Sequence, residues 1–207
     1  LPSTDGQNDR ERVCVAVPRN AYLLFNCEPE LDVHHTAEAT AAMHAAKFVV
    51  AMTPFRTTAV NYAHVILPIT PYSETSGTFV NTEGRMQSFN AVVRPLGDSR
   101  PGWKVLRVLA NVLDIAGFEQ DTSESVRDEV CQPAAIESRL SNEIKSVPAA
   151  VNSKANGALE RIADVPIYWT DSLVRRAPSL QQTADARLPR AIMSSDTLRK
   201  LGIAAGE

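Results

Sequence analysis

Four short, uninterrupted apolar runs constrain the fold of this chain more than any other feature: Val13 to Val17, Ala21 to Phe25, Phe48 to Met52 and Val65 to Ile69. Continuous rather than alternating hydrophobicity fits strands buried on both faces, which implies a mainly parallel sheet covered by helices. The intervening segments supply those helices. Thr36 is placed to cap an Ala-rich helix running through Lys47, and Thr57 to Tyr62 fits a short helix. The expected arrangement is a Rossmann-like βαβαβ unit, wound right-handed by rule.

A hairpin follows in residues 73 to 87. Gly77 to Val80 suit a strand, Asn81-Thr82-Glu83-Gly84 suits a four-residue turn, and Arg85 to Val93 can return antiparallel. Asp98 or Ser99 is positioned to cap a helix near Pro101, whose apolar face carries Trp103, Leu106, Leu109, Ala110 and Leu113 before Gly117 ends it. Ser123 is positioned to cap a further helix through Val130. From Gln132 to about Ala163 the pattern weakens into a connector, with short helices expected at Ala134 to Lys145 and Ala158 to Ile162. Val165 to Trp169 is expected to be extended, and Thr170 or Asp171 to cap one turn through Arg175 before Pro178 stops it. Ser194 or Ser195 is expected to cap a last helix closed by Gly202, after which Ile203 to Glu207 reads as the approach to a strand.

Composition removes several classes of function. With 21 basic and 24 acidic side chains, a net charge of -3 and no basic cluster longer than Arg175-Arg176, the chain is a poor nucleic-acid partner. No apolar run approaches the roughly 18 residues of a membrane span, so direct membrane insertion is not expected. Cys14, Cys27 and Cys131 lack the close spacing of zinc or iron-sulfur ligands and read as reduced thiols. His34, His35 and His44 read as surface histidines, because no Cys or carboxylate completes a ligand set. Ser73, Ser76 and Thr78 lie near Glu74, yet no nucleophile elbow is present and the only histidine nearby in sequence is His64. Phosphate-binding glycine motifs are absent as well.

The polar cluster that remains is Glu74, Asn81, Glu83 and Arg85. Strand alternation brings some of these side chains to one side, and Arg85 can satisfy a carboxylate bidentately. One reading is a buried Glu-Arg lock that fixes the hairpin against the sheet. The other is ligand contact at the carboxyl ends of the strands, where open α/β sheets bind.

Ala21 to Asp32 (AYLLFNCEPELD), Phe48 to Ile69, Glu74 to Gln87 and Arg94 to Leu113 carry a family resemblance. Together they resemble the C-terminal third of the large peripheral-arm iron-sulfur subunit of bacterial NADH-quinone oxidoreductase, respiratory complex I, within the molybdopterin oxidoreductase superfamily. Gly117-Phe118-Glu119, Ser123 to Val130 and Pro166 to Leu180 are similar to the same large subunit. The resemblance implies a Rossmann-like α/β part at 1–131, a connector with short helices at 132–190, and the truncated start of a C-terminal β-barrel at 191–207. Molybdenum-bearing relatives such as formate dehydrogenase tend to show Asn-Thr-Glu-Arg-Arg in the equivalent turn, where this chain has Gly84 before Arg85.

With one cation missing, the resemblance implies a scaffold without chemistry of its own, and neither catalytic residues nor metal ligands. Glu74, Asn81, Glu83 and Arg85 would then be vestiges of a pterin loop. No cofactor is expected within these residues, and iron-sulfur clusters are expected upstream. Partners would be the other peripheral-arm subunits of complex I, at the cytoplasmic side of the bacterial inner membrane. The alternative is a fragment of a molybdopterin-dependent oxidoreductase such as formate dehydrogenase.

Overall fold

A computed structural model describes residues 19–33, 35–143, 159, 166–186, 190–204 and 206. The chain divides into two compact units, Leu1–Asn152 and Ser153–Glu207. The apolar run Val13 to Val17 lies outside the described residues, as do His34, Cys14 and all but Leu159 of the helix expected at Ala158 to Ile162.

The first unit is built on three parallel strands in the order β1-β2-β3: β1 (Ala21–Phe25), β2 (Phe48–Thr53) and β3 (Val65–Pro68). Leu23 pairs with Val50, and Val50 with Val65, so the three strands run in register. Pro68 is tolerated because it faces the outer edge of β3, where only its carbonyl is called on, accepting from the Arg100 amide at 3.4 Å. Between β1 and β2 lie a short helix α1 (Pro29–Asp32) and the Ala-rich helix α2 (Thr36–Ala45). The residue at the N-cap of α2 is His35, without a side-chain cap, so the Thr36 cap is not formed. A 3-10 turn at Thr58–Asn61 joins β2 to β3, and the Thr57 hydroxyl accepts from the Ala59 amide as its sequence position suggests.

One face of the sheet carries the core. Met43 and Ala46 from the α2 region pack with Val49 and Ala51 of β2 and with Ala59 and Tyr62. Only β2 is largely buried, whereas Leu23 and Phe25 of β1 and Val65 and Ile66 of β3 are exposed. The expectation that every apolar run is buried on both faces is therefore corrected: the main cluster lies on one face, the opposite face buries Met52 and Ile69 but leaves Leu23 and Phe48 exposed, and edge strands gain less cover than the centre.

The hairpin consists of β4 (Gly77–Val80) and β5 (Met86–Phe89), paired antiparallel. Helix α3 (Gly102–Val112) follows, with Pro101 at its N-cap and no side-chain cap, so neither Asp98 nor Ser99 takes that role. It ends before Gly117. Asp114 adopts φ +53°, its amide donates to Asn111, and Ile115 N–H donates to Ala110, which closes the helix in a Schellman arrangement. Helix α4 (Ser123–Val130) is capped one residue earlier than expected, by Thr122, in a reciprocal box with Ser125. Helix α5 (Pro133–Glu137) is shorter than the expected Ala134 to Lys145.

In the second unit Trp169 organises the described residues. Its Nε1 donates to the Ala186 carbonyl at 3.3 Å, and Arg175 Nε donates to the Trp169 carbonyl at 2.6 Å. Ile167–Trp169 is a 3-10 turn rather than extended, because Pro166 is followed by i→i+3 bonds. Asp171 Oδ1 accepts from the Leu173 amide at 2.7 Å, but Pro178 begins helix α6 (Pro178–Gln181) instead of ending one. Helix α7 (Ser195–Leu201) is capped by Ser194 and closed by Gly202 at φ +68°, and no strand is present at Ile203 or Ala204.

Tyr62 links the core to α1, since its hydroxyl donates to Glu30 Oε2 at 3.1 Å. Burial first, then the Glu30 charge and hydrogen bond, push the phenol above its usual value of 10.0. The folded chain therefore holds this proton more tightly than the unfolded chain. Stability from the pair is fully present below the ordinary tyrosine pKa and is lost as pH rises past it. Melting temperature should fall more steeply between about pH 9 and about pH 11 in the native chain than in Tyr62→Phe. At neutral pH the variant should be less stable by about 1 kcal/mol.

Candidate functional site at the carboxyl ends of the strands

The strand ends are organised by close backbone approach. After β1, Asn26 takes φ +49° and donates its amide to the Met52 carbonyl at 2.8 Å. After β3, Thr70 N–H donates to the Arg100 carbonyl at 3.0 Å, and Ile69 bridges Arg100. This pairing delivers the first turn of α3 to the ends of the strands. Glycine at 102 lets the helix start approach without displacing the Phe25 ring, because a Cβ there would lie 2.6 Å from its Cζ. The base of the hairpin is tied to α4 by the Ser76 and Ser123 hydroxyls, 2.7 Å apart.

Two hollows share Thr75, Ser76 and Trp103 as a common wall. The first, about 380 Å³, lies among Phe25, Thr70, Trp103, Phe79, Phe89 and Arg127. The second, about 490 Å³, is lined by Glu74, Arg94, Arg100, Trp103 and Lys104 among others. Three cations face one carboxylate in this second lining, and Glu74 Oε2 already accepts from the Leu96 amide at 2.9 Å. Lys104 Nζ sits 5.2 Å from the centre of the Trp103 ring, a cation-π distance.

Two buried polar atoms in these walls have no partner among the described residues, Thr70 Oγ1 and Trp103 Nε1. Thr70 is only 6% exposed. Leaving such a group unmet costs about 1–3 kcal/mol, so the site has unused capacity to hydrogen-bond a guest. Cations at the mouth, aromatic walls and unmet polar atoms together suit an anionic ligand with a planar ring system.

The sequence profile of molybdopterin oxidoreductases matches residues 5–112, about half of the chain. This chain belongs to the molybdopterin oxidoreductase family. Among its relatives is a Staphylococcus aureus (strain MRSA252) protein provisionally named a formate dehydrogenase, 39% identical over 92 residues. A counterpart of the same provisional name from strain USA300 is 40% identical over 92 residues. In each case the match covers 44% of this chain and 9% of the relative. The cations, indole and unmet polar atoms at the strand ends fit the anionic pterin group that the family name implies.

Of the four residues singled out in this molybdopterin oxidoreductase chain, only Glu74 reaches the site. Asn81, Glu83 and Arg85 are exposed at the hairpin tip. There Asn81 Oδ1 accepts from the Glu83 amide at 3.0 Å and the Arg85 amide at 2.8 Å, shaping the turn. No Glu83–Arg85 ion pair forms among the described residues, so the buried lock is corrected: solvent at the tip removes the burial that would make such a pair matter. Gly84 has a backbone reason, since it holds φ +80° and a Cβ would lie 2.7 Å from Leu140 Cδ1. Its presence instead of arginine therefore says nothing by itself about loss of a cofactor.

His44 packs edge-on to Tyr62, and His35 lies 3.8 Å from Glu38. Sequence reasoning missed Thr70, Arg94, Arg100 and Lys104, and gave Trp103 only an apolar role. The available signal was the run of cations on either side of Pro95 and Pro101, immediately before a helix. Gly84→Arg should destabilise the chain by about 1–2 kcal/mol through its left-handed backbone, whereas Arg85→Ala should stay within about 0.5 kcal/mol. Urea unfolding of the two variants measures both.

Proposed function

We propose that these 207 residues are a segment of a molybdopterin-dependent oxidoreductase acting on formate or a similarly small substrate. The observation that carries the reading is the cationic, indole-walled hollow at the strand ends in a chain of this family. Arg94, Arg100 and Lys104 would hold the anionic end of the pterin group, and Trp103 Nε1 and Thr70 Oγ1 would meet its polar edges. When bound, that group supplies two-electron redox chemistry at its metal. The contribution of this chain is binding and orientation: charge complementarity from the cations, and exclusion of water by Phe25, Phe79 and Phe89.

In the longer polypeptide carrying this segment, Arg94→Glu should lower molybdenum and pterin per protein by about tenfold, while Arg85→Glu at the hairpin tip should not. Metal analysis and the fluorescence of the released, oxidised pterin measure this. Equal cofactor content in both variants would overturn the assignment.

A second reading is a scaffold segment of the large peripheral-arm iron-sulfur subunit of NADH-quinone oxidoreductase, favoured by the resemblance at Gly117 to Glu119 and Pro166 to Leu180. It would support electron transfer without chemistry of its own, beside iron-sulfur clusters held upstream. It would contact other peripheral-arm subunits on the cytoplasmic face of the inner membrane. No helix among the described residues is long and apolar enough to cross a membrane. A wild-type protein devoid of molybdenum and tungsten, isolated with NADH-oxidising subunits, would select this reading.

A further inference from the structure

A carboxylate is out of place in a hollow that suits an anion, and Glu74 is the one carboxylate in the lining that holds Arg94, Arg100 and Lys104 among the described residues. Its hydrogen bond gives it a different task. Glu74 closes the 3-10 turn Tyr72–Glu74, and that turn grips the loop of residues 90–101, which joins β5 to α3. The Ser73 carbonyl accepts from the Val92 amide at 2.8 Å and from the Val93 amide at 3.3 Å. Glu74 Oε2 then accepts from the Leu96 amide at 2.9 Å. Arg94 stands in sequence between these two fastenings. Beyond them the loop fastens itself: the Ser99 amide and hydroxyl donate to the Leu96 carbonyl at 3.2 Å and 2.6 Å, and Arg100 Nη1 donates to the Gly97 and Ser99 carbonyls. Among the described residues, the Glu74 bond is the fastening that a side chain outside the loop supplies.

We propose that Glu74 is a positioning residue for the anionic end of the ligand: through the Leu96 amide it holds the 90–101 loop so that Arg94 and Arg100 face the hollow, without itself touching the ligand. The proposal rests on the reading of that hollow as the seat of an anionic group. Charge and position make opposite demands on this residue. A negative group beside three cations opposes an anionic guest, so on Coulomb grounds alone its removal strengthens binding. Position acts the other way, because a loop that must be ordered when the guest arrives takes the ordering cost out of the affinity, whereas a loop already held does not. Arg94, Leu96 and Arg100 are exposed, so solvent and packing offer the loop little other restraint. A bond from an amide to a carboxylate is of the stronger, charge-assisted kind, and a glutamine oxygen in the same place accepts the same bond without the charge. The two effects can therefore be separated by substitution.

The test compares Glu74→Ala and Glu74→Gln in the longer polypeptide, with Tyr62→Phe as a control that loses stability away from the hollow. Molybdenum and pterin per protein should fall about fivefold in Glu74→Ala, and should stay at or above the native level in Glu74→Gln and at the native level in Tyr62→Phe. In protein produced without molybdate, hydrogen exchange of the peptide spanning residues 91–97 should be about fivefold or more faster in Glu74→Ala than in the native and Glu74→Gln proteins. Cofactor content that is unchanged or raised in Glu74→Ala overturns the proposal, since charge would then outweigh position. An equal loss in Glu74→Gln overturns it in favour of a role for the charge, and an equal loss in Tyr62→Phe overturns it in favour of general stability. Unchanged exchange in Glu74→Ala overturns it as well. Arg94→Glu without effect on cofactor content would instead overturn the reading of the hollow, and the exchange rates would still decide whether Glu74 holds the loop.

Discussion

Burial of β2 is the constraint on which the rest of the first unit depends. This strand is hydrogen-bonded to neighbours on both edges, and its Val49, Ala51 and Met52 are almost fully removed from water. Val49 and Met52 each contribute about 1.5–3 kcal/mol by leaving water, which helps to organise edge strands that remain half exposed. Helix α2 and the 3-10 turn then have one surface to cover, and Met43, Ala59 and Tyr62 fill it. The opposite face is covered only in part within the described residues: Met52 and Ile69 are buried there, while Leu23 and Phe48 remain open.

The same geometry makes the strand ends a site. Fixing β1 and β3 against β2 sets where Asn26 and Thr70 stand, and the Thr70–Arg100 bond brings the start of α3 to them. Gly102 allows that approach by yielding its side-chain volume to Phe25. Trp103 and Lys104 follow in the first turn of the helix, while Arg94 and Arg100 come from the loop before it. A cationic hollow thus arises from residues spaced along a short stretch but oriented by a long-range bridge. The hairpin supplies an aromatic wall through the stacked Phe79 and Phe89 rings, 5.3 Å apart, and is anchored at its base rather than at its tip.

Much of the fold was legible because its signals are local. Three apolar runs became the three strands, the short helix expected at Thr57 to Tyr62 became a 3-10 turn at Thr58–Asn61, Ser194 became a cap, and Gly202 closed the last helix. Where local signals competed, the outcome was not legible. Thr122 and Ser123 can both cap, and the reciprocal bond to Ser125 decided for Thr122. Gly117 looked like the natural end of α3, yet Asp114 adopted the left-handed conformation because the Schellman bonds to Ala110 and Asn111 reward it. Pro178 can end one helix or begin another, and its sequence does not distinguish the two. Arg85 looked like one half of a buried Glu-Arg lock because burial, the quantity that gives such a pair its value, is absent from a sequence.

By itself the sequence determined the parallel α/β core, the hairpin and the membership of the molybdopterin oxidoreductase family, since apolar runs, turn residues and short motifs are properties of neighbouring positions. Only the tertiary structure decided which polar residues share a site. Thr70 and Trp103 are 33 residues apart, by the difference of their numbers, and meet because β3 pairs with the loop before α3. It also decided that the two faces of the sheet differ. Burial depends on what packs above a strand, and strand composition alone cannot say which face that will be.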